Sequence, residues 1–287
     1  MFEMRIRSSF LLFLFLLIAS ASCSTSADTA PETTSDAASA QVITSDLAHF
    51  WAAYDDGGKS GSASAFQRLY LDAASTGLGE FIGKKNLTAA SLAQMVVSRQ
   101  SYFASIRATN LALANDGVTV GRIRANFAVI KDLYPAAVFP PVTLLIGRFS
   151  TGGTTSASGM LIGSEFYSIN ASTPLNELTP FERDNVKSID SLPIIVAHEH
   201  AHVLQSRAGG LLNHSNKTLL EQSLIEGGAD FIGERSSGGN INGKLWPVAL
   251  SNESALWQEF KGVMHGTDIS RWLYNQGSST ATASHPG

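Results

Sequence analysis

The sequence predicts an α+β domain that is mainly helical and carries a small β-sheet. Three observations lead there. Apolar residues recur at helical spacing from residue 44 to Pro135. Pro140-Pro141 then interrupts that period, and two β-rich runs follow, Val142–Ile146 and Gly159–Tyr167. Helical spacing returns after Pro193. Helices, then a small sheet, then helices is the order of an α+β fold.

The first helix starts at Thr44 or Ser45, either of which can cap it, and carries Leu47, Phe50, Trp51 and Tyr54 on one stripe. Gly57-Gly58 ends it. Phe66, Leu69 and Tyr70 mark a short second helix. Thr88 opens a long pattern through Leu92, Met95, Val96, Phe103 and Ile106. Ile123, Phe127, Ile130 and Leu133 mark another helix, stopped by Pro135. The β-rich runs are expected to pair as a hairpin across the Gly/Ser/Thr loop 151–158. Further helices are expected at 193–208, 218–235 and 252–264. The aromatics of the helical half are core residues.

Composition narrows the function. The chain has 287 residues, 44% hydrophobic and 15% charged, with a formal net charge of −4. A mildly acidic chain without a basic cluster argues against nucleic acid as a partner. Cys23 is the only cysteine, which excludes disulfides and any cysteine-built metal site.

The first 22 residues read as an export signal: Arg5 and Arg7, then an apolar run from Phe10 to Ala19. That run is shorter than the roughly 20 residues of a membrane span. Two continuations stay open. Cys23 can be lipidated as the first residue of a bacterial lipoprotein, or cleavage can follow Ala19-Ser20-Ala21. The first places the chain in a bacterial cell envelope, held to a membrane by its lipid. The second leaves it secreted or periplasmic. Residues 23–40 lack large apolar side chains and are expected to form a disordered tether, with the folded domain at 41–276 and a flexible tail at 277–287.

The chemistry concentrates in His198-Glu-His-Ala-His202, an HExxH pattern between apolar flanks. On a helix, positions i and i+4 share a face, so His198 and His202 can aim two imidazoles at one metal ion. Glu199 lies about 100° round the helix, beside a metal-bound water rather than on the metal. His200 points elsewhere and is left out of the site. A four-coordinate site needs a third protein ligand. Gln205 and Ala208 stand where a metzincin needs glycine and histidine. Thr218 and Glu221 form a capping box that starts a return helix. Glu226 and Asp230 lie one turn apart on it, and Asp230 can accept the free N–H of a bound histidine. Gly227-Gly228 weaken that helix, which close approach to the HExxH helix would explain. Glu221, Asp230 and His214 are weaker ligand candidates.

HExxH followed by Glu226-Gly-Gly-Ala-Asp230 resembles the gluzincin class, and more narrowly a bacterial family of predicted zinc-dependent proteases. Asp46–Tyr54, Tyr70–Leu78 and Trp272–Asn275 resemble its other landmarks. The resemblance implies a zincin-like metallopeptidase domain with one zinc ion per chain. It implies His198, His202 and Glu226 as ligands, Glu199 as general base and Asp230 behind a ligand. The expected substrate is a peptide or protein. Tyr274, Tyr167 and His265 are candidate oxyanion donors, Tyr274 foremost. The family continues into another helical stretch where this chain turns to Ser/Thr/Ala-rich sequence. The alternative function is a non-catalytic zinc-binding envelope lipoprotein, acting as a scaffold or assembly factor.

Overall fold

A computed structural model describes residues 32–115, 117–209, 214–243 and 245–273. The export signal, Cys23, Tyr274 and the tail lie outside these. The elements in order are β1 (Val42–Ile43), α1 (Ser45–Asp55), α2 (Ala63–Phe66), α3 (Thr76–Lys85), α4 (Ala89–Ser98), α5 (Gln100–Asn115) and α6 (Gly117–Leu133). Then come β2 (Val142–Leu145), β3 (Gly153–Ser156), β4 (Gly159–Gly163), α7 (Pro180–Asn185), α8 (Leu192–Ala208), α9 (Leu219–Ser237), α10 (Trp246–Ser251) and α11 (Glu253–Val263). The chain is mainly helical with one small mixed sheet, an α+β fold. No helix among the described residues is long and apolar enough to cross a membrane.

The helical half forms around an aromatic nest. Phe50 of α1 touches Trp51, Phe66, Tyr70 and Phe103, with ring centroids 5.1–5.9 Å apart. All of these side chains are buried. Aromatic rings bury the largest apolar area per residue, so the nest anchors the helices to one another. Buried Tyr70 also ties the nest to the sheet by donating from its hydroxyl to the carbonyl of Ile146 at 2.8 Å.

The sheet runs β1-β2-β4-β3. β2 and β4 are parallel, with Val142 opposite Met160 and Leu145 opposite Gly163. The expected hairpin between these two runs is therefore wrong. β4 pairs instead with β3, which arises inside the segment read as a loop and is antiparallel to it, Gly153 opposite Ile162. Gly153-Thr-Thr-Ser156 has no apolar residue to reveal it, because it is an edge strand and only half-buried. Gly159 makes the return turn with φ +135°, where a side chain would run into the carbonyl of Pro141. β4 ends at Gly163; Ser164–Phe166 is a 3-10 turn rather than more strand.

Three other expectations change. The pattern opened by Thr88 splits into α4 and α5, which meet at Arg99 and Gln100. α3 was not expected, since Gly77, Gly79 and Gly83 dilute its apolar stripe; its signal is the Ser75 cap, whose hydroxyl accepts from Leu78 N–H. The tether expected over 23–40 gives way to structure by Thr34, which bridges to Phe139, and a 3-10 turn at Ala37–Ser39 follows. Ala37 and Ala40 are small enough to be buried there without large apolar side chains.

α8 is the element that positions the chemistry. It packs against α9, α6 and the β3–β4 side of the sheet. Its buried residues include Leu192, Ile195, Val196 and Ala197. Pro193 lies in its first turn, where a missing N–H costs nothing, and Gly209 ends it at φ +66°. Thr218 and Glu221 form the expected capping box at the start of α9.

Candidate metal centre

α8 and α9 bring His198, His202 and Glu226 together. One donor atom from each lies within 4.8 Å of the others, and the group could hold a metal ion. His198 Nε2 and His202 Nε2 are 3.1 Å apart. Glu226 Oε2 is 3.6 Å from the first and 3.4 Å from the second.

The other ring nitrogens decide where the lone pairs point. His198 Nδ1 lies 2.8 Å from Asp230 Oδ1, so a carboxylate takes the Nδ1–H and leaves the Nε2 lone pair free. Asn242 donates to the other oxygen of Asp230 at 2.6 Å and fixes the carboxylate. His202 Nδ1 lies 2.9 Å from Gln205 Oε1. Gln205 donates from Nε2 to the carbonyl of Ile225 at 2.8 Å, which orients the amide with its oxygen toward the ring. With their Nδ1 atoms engaged in this way, both imidazoles turn Nε2 toward each other and toward a carboxylate. Two imidazole nitrogens and a carboxylate oxygen arranged this way could hold a metal ion.

Burial opposes a charge on His198, but hydrogen bonds to Asp230 and Glu226 and the charge of Glu199 outweigh it and push the group up to about 10. His202 is raised as well: burial opposes it, and the bonds to Glu226 and Gln205 prevail. Glu199 is buried, and burial raises it against the pull of the two histidines. Its carboxyl lies against Gly153 of β3, where an added side chain would come within 2.7 Å of Cγ. Only glycine lets the edge strand approach the carboxyl this closely.

Tyr167 is buried, and its hydroxyl meets Gly152, next to the Gly153–Glu199 contact. Burial raises it, as do the charges of Glu199 and Glu165, so it keeps its proton. His265 instead lines a separate pocket with Gly262, Asp268 and Trp272. His214 pairs with Glu221 at 3.0 Å, and Glu221 accepts from Thr218, so neither joins the metal group. Gly228 faces Gln205 Nε2, and a side chain there would come within 3.3 Å of it. Gly227 faces open space, so the expected close approach holds at Gly228 alone of the pair. A side chain at Gly233 would meet His198 N at 3.5 Å, an ordinary contact distance.

His200 is buried on the opposite side of α8. It stacks on Phe139 at 4.9 Å and donates from Nε2 to the carbonyl of Val138 at 2.7 Å. Burial pulls it down to about 4.

Sequence reasoning missed Gln205, Asn242, Gly153 and Lys84. Gln205 had a signal, because i+3 on a helix lies beside the ring of His202. Asn242 comes from a turn, Gly153 from an edge strand and Lys84 from a helix, none of which the sequence announced. Compared with known protein families, curated proteins and solved structures, the chain matches none.

Proposed function

We propose that the chain is a zinc-dependent metallopeptidase of gluzincin type that hydrolyses peptide bonds. The observation that carries this reading is the convergence of two Nε2 lone pairs and one carboxylate, each ring held in tautomer from behind. Tetrahedral zinc with N and O ligands at about 2.0–2.2 Å has ligand–ligand edges of roughly 3.3–3.6 Å. The three donors stand 3.1, 3.4 and 3.6 Å apart. Two imidazoles and a carboxylate without thiolates is also the donor set of a catalytic rather than a structural zinc site.

Zinc held there supplies Lewis acidity and an acidified water. Glu199 acts as general base: it takes a proton from the attacking water and returns it to the leaving amine. Its burial and raised affinity for a proton suit both steps. Asp230 and Gln205 keep the two imidazoles oriented. Tyr167, with its hydroxyl beside the edge strand, is the candidate donor to the developing oxyanion among the described residues. The outer edge of β3 can hold an extended peptide beside Glu199 through the outward N–H groups of Gly153 and Thr155. β4, the strand expected for this task, is paired on both sides and cannot.

The test is metal analysis of the purified full-length protein, with a peptide-library digest in the presence and absence of chelator. Close to one zinc per chain and cleavage that chelator abolishes are expected. Zinc without any cleavage contradicts the peptidase reading and favours the non-catalytic scaffold.

A further inference from the structure

Lys84 stands at the open edge of the strand that borders the metal centre. Among the described residues, β3 is the outermost strand and pairs with β4 alone. Gly163 N–H donates to Gly152 C=O at 3.1 Å, and Gly153 is opposite Ile162. Hydrogen-bonded pairs alternate along an antiparallel ladder. Gly152, Thr154 and Ser156 therefore turn their peptide groups to β4, and Gly153 and Thr155 turn theirs outward. Gly153 is the residue packed on Glu199. If Glu199 is the general base, a peptide laid antiparallel on this edge, bonded to the outward N–H groups of Gly153 and Thr155, brings its reacting bond beside Gly153. Its amino-terminal side then runs toward Thr155, roughly 7 Å further along.

That side is where Lys84 sits. It belongs to the last turn of α3, and α3 packs on β2, β3 and β4. Its ammonium donates to Thr155 C=O at 2.6 Å and to Thr154 Oγ1 at 3.1 Å. The side chain is exposed, and its charge acts on Glu199. Glu80, one turn earlier on α3, is committed to the β3–β4 turn, where it accepts from Ser158 N–H at 3.1 Å and Ser158 Oγ at 2.9 Å. Thr151 Oγ1 already donates to the outward carbonyl of Gly153. The outward carbonyl of Thr155 is thus held by a fixed cation. A substrate's free α-ammonium placed there meets a like charge, and a substrate carboxylate meets an opposite one.

We infer that Lys84 is a specificity-determining residue that selects internal peptide bonds with an acidic side chain at one of the two positions preceding the scissile bond. The inference rests on the proposed peptidase activity and names its substrate class. The contact is at the surface, where an ion pair is worth about 2–5-fold in an equilibrium or rate constant. It weakens as salt rises.

The experiment uses full-length, zinc-loaded protein and quenched-fluorescent peptides. These carry Asp or Lys at the two positions preceding the scissile bond, each with a free or an acetylated amino terminus. Wild type is expected to favour the acidic over the basic peptides by about 2–5-fold in kcat/KM and to prefer acetylated ends. Lys84→Arg should keep that ratio, Lys84→Ala should level it and Lys84→Glu should invert it. Thermal unfolding of each variant confirms that it is folded. An unchanged ratio in a folded Lys84→Glu protein that still cuts peptides overturns the inference and leaves the peptidase reading standing. Zinc-loaded wild type that cuts no peptide sinks the peptidase reading instead. Fluorescence anisotropy of a labelled acidic peptide on zinc-loaded Glu199→Gln protein then decides the inference. Binding that Lys84→Glu weakens supports it, and binding indifferent to Lys84→Glu overturns it.

Discussion

Two sets of ionisable side chains in the fold differ in what they meet. In one set each group meets only backbone. His200 is bonded to the carbonyl of Val138, and Glu165 accepts through Oε1 from the N–H groups of Gly147 and Phe149 at 2.9 and 2.8 Å. In the other set, between α8 and α9, ionisable groups meet one another. The first set is driven to neutrality: burial pulls His200 down to about 4 and pushes Glu165 up to about 7. In the second set the carboxylates beside His198 outweigh burial and push it up to about 10. His198 and His200 are two residues apart on one helix, so residue type and sequence position do not make the difference. What surrounds each ring does. His200 is pinned by backbone and packed in the core; His198 is pinned by a carboxylate and faces two further donor atoms.

The sharpest way to break this comparison is to remove one member from each set. Glu226→Ala should weaken metal binding by more than the ~10–100-fold expected of an outer partner, since it deletes a donor oxygen. His200→Leu should leave metal affinity unchanged and lower stability by about 1–3 kcal/mol, because the carbonyl of Val138 loses its buried partner. Chelator competition and thermal unfolding on both variants check this. Metal loss in His200→Leu would erase the distinction.

Glu165 provides the next effect. It braces the loop in which Arg148 and Phe149 adopt φ of 66° and 53°, and its Oε2 is buried without a partner. Between its ordinary value of 4.5 and about 7 the unfolded chain has released this proton while the folded chain keeps it. Stability should therefore fall as pH rises through that window, by about 3 kcal/mol, and then level off. Glu165→Gln keeps the acceptor and has no proton to lose. Its melting temperature relative to wild type should climb from pH 5 to pH 8. A difference independent of pH would mean that Glu165 is not held neutral.

Smaller effects sharpen the second set. Asp230→Asn should keep the metal but weaken it by about 10–100-fold, by lowering the basicity of His198. Gln205→Ala should cost less, because an amide orients the ring of His202 without adding charge. Affinities measured at one pH give the order. Asp230→Asn more damaging than Glu226→Ala would reverse the ligand assignment.

Much of the second set was legible in the sequence. Helical period alone puts His198 beside His202, and Glu226 one turn from Asp230. The capping box at Thr218 fixes where the return helix starts. The edge strand was not legible. Gly153-Thr-Thr-Ser156 lacks the apolar alternation that marks a strand, and its place beside Glu199 follows from the parallel pairing of β2 with β4. Lys84 was hidden for the same reason, since α3 is diluted by glycine and its role depends on that strand. Sequence period reports which side chains share a face of one element. It does not report which element another one borders.

The central claim is that Glu199 acts on water beside a metal held by its neighbours. The most direct measurement is zinc content and peptide hydrolysis of Glu199→Gln against wild type. The account predicts zinc retained and hydrolysis abolished. Loss of most of the zinc, or cleavage at the wild-type rate, would contradict it.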